Sequence, residues 1–124
     1  MGHGDTQSLS IPKRITTFKE NEKIINALAG AKHSVAVTSG NGLIFSWGMG
    51  DQGRLGNGQE IGCLLPSKIP MNGPGVLAGD DMCMHVATGE AHTAMVTASG
   101  NVYTWGVGSH GRLGRTGSLF CVLL

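Results

Sequence analysis

Gly89-Glu-Ala-His92-Thr-Ala-Met-Val-Thr-Ala-Ser-Gly-Asn-Val-Tyr-Thr-Trp105-Gly-Val-Gly-Ser-His-Gly-Arg-Leu-Gly114 decides the fold, because the same chain carries it twice. The earlier copy is Gly30-Ala-Lys-His33-Ser-Val-Ala-Val-Thr-Ser-Gly-Asn-Gly-Leu-Ile-Phe-Ser-Trp47-Gly-Met-Gly-Asp-Gln-Gly-Arg-Leu-Gly56, once one residue near Asn41 and Gly42 is dropped. The glycines, the His, the Trp and the closing Gly-Arg-Leu-Gly coincide over some 26 positions. Such self-similarity is the mark of a repeat architecture.

The phase continues outward from these copies. Pro66 lies ten residues after Gly56 and Pro12 ten after Gly2, opening Pro-Ser-Lys-Ile69 and Pro-Lys-Arg-Ile15. Met1 therefore stands in the register of Leu55 and Leu113, and the marks at Gly2, Gly56 and Gly114 are 54 and 58 residues apart. The extra length falls between Pro66 and Gly89, where Met71-Asn-Gly-Pro-Gly75 reads as a loop insertion. The 124 residues form one partial repeat domain: repeat 1 over about 2–55, repeat 2 over about 56–113, and the start of a third over 114–124.

Each copy reads as β-structure. Ser34 to Thr38 and Thr93 to Thr97 are short β-rich runs, and Leu43 to Trp47 and Val102 to Trp105 are second runs. Ser39-Gly-Asn-Gly42 and Ser99-Gly-Asn101 between them are turn chemistry, so each copy contains a hairpin. Ile24 to Ala29 and Met82 to Thr88 supply a further strand, and the two proline segments an edge strand that begins at the proline. Glu20 to Leu28 also fits a helix, since Ile24, Ile25 and Leu28 share a face; the copy at Met82 to Thr88, rich in β-branched and sulfur residues, favours the strand. Four short strands per unit with glycine punctuation is the pattern of a propeller blade.

Composition bounds the rest. Glycine supplies 21 of 124 residues, while charged residues are 14% and aromatics 5% against 40% hydrophobic. That excludes a disordered polyampholyte and, without glycine at every third position, a collagen. No apolar run approaches the roughly 20 residues of a membrane helix, and Met1-Gly-His-Gly-Asp-Thr6 lacks the layout of a secretory signal. The expectation is a soluble intracellular chain, cytoplasmic or nuclear. Nine basic and eight acidic residues leave a net charge of +1, which gives no direct nucleic-acid signal. Cys63, Cys83 and Cys121 are odd in number and form no C-x-x-C pair, against a disulfide framework or a zinc site.

Val86-Ala-Thr-Gly89-Glu-Ala-His92-Thr-Ala-Met-Val96 resembles the signature of the regulator of chromosome condensation repeat family, and Trp-Gly-x-Gly-x-x-Gly-Arg-Leu-Gly resembles its blade ending. The first copy is looser, with Leu28 where the signature has a small residue. The resemblance covers nearly the whole chain. It implies an all-β fold, a seven-bladed propeller with four strands per blade, of which this sequence holds about two blades as a fragment of the ring. Two blades leave open edges and inner faces, so missing blades or self-association are expected.

Gly48-Met-Gly-Asp-Gln-Gly53 and Gly106-Val-Gly-Ser-His-Gly111 match G-x-G-x-x-G, but no helix-forming sequence follows to face a pyrophosphate, so no cofactor is expected. Met1-Gly-His-Gly-Asp-Thr6 fits the M-G-x-x-x-[ST] pattern of N-myristoylation, yet the same residues continue the repeat phase. Gly30, His33, Trp47, Gly48 and Gly56 in the first copy, with Gly89, His92, Trp105, Gly106 and Gly114 in the second, make up the structural signature. No nucleophile recurs beside the histidines, and His85, His110 and the cysteines show no ligand spacing, so neither a catalytic nor a metal set is expected. Asp80-Asp81 reads as a solvated turn.

Residues that differ between the copies are the candidates for partner contact: Asp51 and Gln52 against Ser109 and His110, and Lys32 against Glu90. Variable loop tips on a constant frame are where recognition is placed. The leading reading is a non-enzymatic protein–protein interaction module. Two alternatives are implied by the resemblance: part of a guanine-nucleotide exchange factor for a Ran-like small GTPase with chromatin association, and the recognition part of a ubiquitin-ligase protein.

Overall fold

The computed structural model describes residues 1–70, 81–114 and, as backbone alone, 120–121. The Met71–Gly75 insertion, Asp80 and the rest of the segment after Gly114 lie outside the described residues. Two antiparallel four-stranded meanders follow one another, in the orders β1-β2-β3-β4 and β5-β6-β7-β8. The first comprises β1 (Ile24–Ala29), β2 (His33–Thr38), β3 (Ile44–Gly48) and β4 (Cys63–Lys68). The second comprises β5 (Cys83–Thr88), β6 (His92–Thr97), β7 (Val102–Val107) and the two-residue β8 (Phe120–Cys121).

Both predicted hairpins form where the turn glycines place them. Gly40 and Gly100, at φ +79° and +86°, turn the chain between β2 and β3 and between β6 and β7. Asp81 is more than a solvated turn residue. Its carboxylate accepts hydrogen bonds from the Ser99 backbone N–H at 3.0 Å and from Asn101 Nδ2 at 3.3 Å, tying the second hairpin to the start of β5. These bonds, that of the Ser99 side chain first, hold the Asp81 carboxyl at about 2, below its usual value of 3.8.

Two proline segments behave differently from expectation. β4 starts at Cys63, not at Pro66. The ladder slips between the Gly48–Cys63 and Ser46–Ser67 pairs, and Pro66, which has no N–H to donate, sits inside that irregularity. Pro12 to Ile15 forms no strand and pairs with none among the described residues. The helix considered for Glu20 to Leu28 is absent too, because Ile24–Ala29 pairs along β2.

Strand alternation sorts the side chains onto two faces of each sheet. In the first sheet His33, Val35 and Val37 of β2 share a face with Ile44 and Ser46 of β3, as the register Val35–Ser46 and Val37–Ile44 requires. In the second, Thr93, Met95 and Thr97 share a face with Tyr103 and Trp105. These two faces meet and make the core of Val35, Val37, Ile44, Ile69, Val86, Met95, Trp105 and Leu113. The opposite face of the first sheet is covered by the N-terminal segment, where Phe18 stacks edge-on against Phe45, with ring centroids 5.2 Å apart.

Candidate functional site

The His after the first Gly-x-x turn is buried at the joint between the sheets. His33 is 2% exposed, and its Nε2 lies 3.0 Å from Oγ1 of Thr93, which is fully buried in the second sheet. This hydrogen bond crosses from one sheet to the next. Burial, the Arg54 charge and, to a smaller degree, His92 push the His33 pKa below its ordinary 6.5, so the ring is held neutral. Gly30 and Gly89 leave room for the imidazoles of His33 and His92, which lie where a Cβ on those glycines would stand.

β3 ends in Trp47-Gly48, and β7 carries Trp105-Gly106 just before its last residue. Trp47 is 6% exposed and Trp105 1% exposed. Gly48 and Gly106 take φ +107° and +102°, and a Cβ at either would come 2.5 Å from a backbone carbonyl oxygen of the neighbouring turn. Only glycine fits there. Beyond them lie one-turn 3-10 helices, Asp51–Gly53 and Ser109–Gly111, and in each the middle residue is left-handed: Gln52 at φ +60° and His110 at φ +62°. That conformation is costly for a side chain other than Gly, Asn, Asp or His, and it marks the Gln52 turn as strained.

Gln52 of the first turn, with Arg54 and Arg112 that follow the two turns, lines a cleft of about 310 Å³ between the two repeats. Its walls carry Lys32 and Gln52 from the first repeat and Glu90 from the second, three of the six residues expected from sequence to contact a partner. Counted from the glycines, Lys32 matches Ala91 and Glu90 matches Ala31, so the two turns offer their charges one position apart. Asp51, Ser109 and His110 do not line it. His110 Nδ1 lies 3.4 Å from Nη2 of Arg112.

Arg54 and Arg112 complete the cleft, and sequence reasoning did not single them out. Each turns its Nε toward a backbone carbonyl three residues back, Asp51 at 3.0 Å and Ser109 at 2.9 Å. Both stand in the repeated Gly-Arg-Leu-Gly, so identity between copies made them read as frame. Among the described residues no group of three or more His, Cys, Asp or Glu could hold a metal ion. The buried Cys83 thiol is pushed up to about 11 by desolvation, which makes it a poor nucleophile.

Two glycine-punctuated, four-stranded meanders packed face to face in sequence define a section of β-propeller. The comparisons agree. The chain belongs to the family described as the regulator of chromosome condensation (RCC1) repeat, whose profile matches residues 1–37 and 41–96, with a second profile of that description over 85–112. It is 36% identical over 124 residues to the human E3 ubiquitin-protein ligase HERC2, covering 98% of this chain and 2% of that protein. It is 33% identical over 114 residues to the Bos taurus secretion-regulating guanine nucleotide exchange factor, covering 90% of this chain and 23% of the relative. The crystal structure of human WBSCR16 superposes with a TM-score of 0.72 at 25% identity, over 90% of this chain and 26% of that one. Yeast RCC1 (Prp20), in its crystal structure with Kap60, superposes at 0.70 and 23% identity, over 87% of this chain and 25% of the other. The chain thus spans 2% to 26% of the length of the relatives and solved structures it matches here. No helix among the described residues is long and apolar enough to cross a membrane.

Proposed function

We propose that this chain is a non-enzymatic protein-interaction module, a two-blade section of propeller that meets another protein through its loop ends. One observation carries the reading: Lys32, Gln52 and Glu90, which lie outside the repeated signature, come together at one cleft. The repeated His33, Trp47 and Trp105 are instead buried in the frame. The boundaries 2–55, 56–113 and 114–124 are proposed as the sequence units. Exchange on a small GTPase and substrate recognition for a ubiquitin ligase rest on the names of much longer relatives. A nucleotide-release assay against a panel of small GTPases separates the readings. The chain alone is expected to leave release at its intrinsic rate, and stimulated release by the chain would overturn the non-enzymatic reading.

The second sheet also presents a face of the kind buried in the joint that no described residue covers. Val102 is 69% exposed, while Ile44, its counterpart in the first repeat, is 0% exposed. A Cβ on Gly56 would come 2.6 Å from Trp105 Nε1, whereas one on Gly114 would meet nothing within 4 Å among the described residues. Another blade of the same kind fits this face; for the isolated chain that blade belongs to a second copy, docked head to tail.

A further inference from the structure

We propose that the cleft between the two blades holds the carboxylate of an acidic segment of a protein partner, with Arg54 as its anchor. The inference rests on the interaction-module reading and gives that reading a ligand chemistry. Arg54 is 8% exposed, and the solvent it keeps is that of the cleft it lines. Its one hydrogen bond to the protein uses Nε, which leaves the two Nη groups without an acceptor among the described residues. A buried cation without a counter-charge is costly, and a planar guanidinium offers a carboxylate two parallel donors.

The surroundings define the occupant further. Lys32 and Arg112 add two cations to the wall and Glu90 one anion, so with Arg54 the cleft carries a formal charge of +2. An oxyanion is attracted, while Glu90 calls for a donor beside it, such as the backbone N–H or amide of the same segment. A nucleic-acid backbone fits poorly. The volume of about 310 Å³ admits a side chain or two, none of the described residues lining it is aromatic and fit for stacking, and Glu90 repels a run of phosphates. The left-handed Gln52 stands at the rim on a strained turn, as residues at binding loops commonly do.

Amide chemical-shift titration of the whole chain tests this. The probes are a capped Gly-Glu-Glu-Gly peptide, its Gly-Gln-Gln-Gly counterpart and a ten-residue oligothymidine, each added at low salt. The Glu peptide is expected to produce saturable shifts centred on Lys32, Gln52, Arg54, Glu90 and Arg112, and the Gln peptide to produce none. Glu90→Gln is expected to tighten the Glu peptide two- to fivefold, and Arg112→Gln to weaken it about fivefold or more. Arg54→Gln, if it keeps the native spectrum, is expected to abolish binding; the two other substitutions test the site if it does not. Shifts scattered away from the cleft, equal response to both peptides, or saturable binding of the oligothymidine alone would overturn the proposal. Such a failure leaves the interaction-module reading standing, because that reading is tested separately by nucleotide release.

Discussion

Trp105→Ala is expected to lower the unfolding free energy by about 3–5 kcal/mol, the range for removing a large aromatic from a packed core. Trp105 is 1% exposed and lies at the centre of the joint, where its ring fits against Gly56. Few side chains here bury more. Its indole N–H is buried without a hydrogen-bond partner, so its contribution comes from packing alone. Trp105→Phe therefore loses contact area but also removes an unsatisfied donor, and is expected to cost much less than the alanine. Denaturant unfolding followed by circular dichroism measures both. A small domain has roughly 5–15 kcal/mol in total, so the alanine variant should unfold at a far lower denaturant midpoint. An alanine midpoint close to that of the wild type would mean that the two sheets are not packed as described.

Thr93→Val is the second large effect. It keeps the shape of the side chain but deletes the hydrogen-bond partner that His33 Nε2 has among the described residues, on a ring that is 2% exposed. Leaving that nitrogen buried and unsatisfied costs about 1–3 kcal/mol. The same histidine also predicts a pH dependence. Its folded pKa lies below the ordinary 6.5, through burial first and then the charges of Arg54 and His92. Between the two values the unfolded chain binds a proton that the folded chain does not, so stability is full above about pH 6.5 and is lost as pH falls through and below it. Unfolding midpoints taken from pH 7.5 to pH 5 should fall in the wild type. In His33→Gln that part of the fall should disappear. A His33→Gln profile as steep as the wild-type one would show that this ring does not carry the linkage.

Much of the frame was legible because its punctuation is glycine. Ser39-Gly-Asn-Gly42 and Ser99-Gly-Asn101 place both hairpins, and strand alternation then fixes which residues face the joint. The N-terminal and edge segments were less legible. A proline marks where a ladder loses a donor, but only a neighbouring strand decides whether a ladder exists. β4 therefore runs through Pro66 beside β3, whereas Pro12 to Ile15, paired with no strand among the described residues, stays irregular. The cleft was half legible. Differences between the copies pointed to Lys32, Gln52 and Glu90, yet the same criterion hid Arg54 and Arg112, which do not differ. Nor does sequence show that Gln52 is left-handed, since glutamine is not a residue that favours that region.

The central claim is that the two sheets are consecutive blades and that the joint between them is offered again on the far face of the second. Light scattering on the size-fractionated chain over a hundredfold range of concentration tests it most directly. The account predicts a mass that rises above that of one chain as concentration increases, and that returns to the single-chain value in Val102→Glu, which places a charge on the exposed counterpart of Ile44. A folded wild-type chain that keeps the single-chain mass throughout would contradict it.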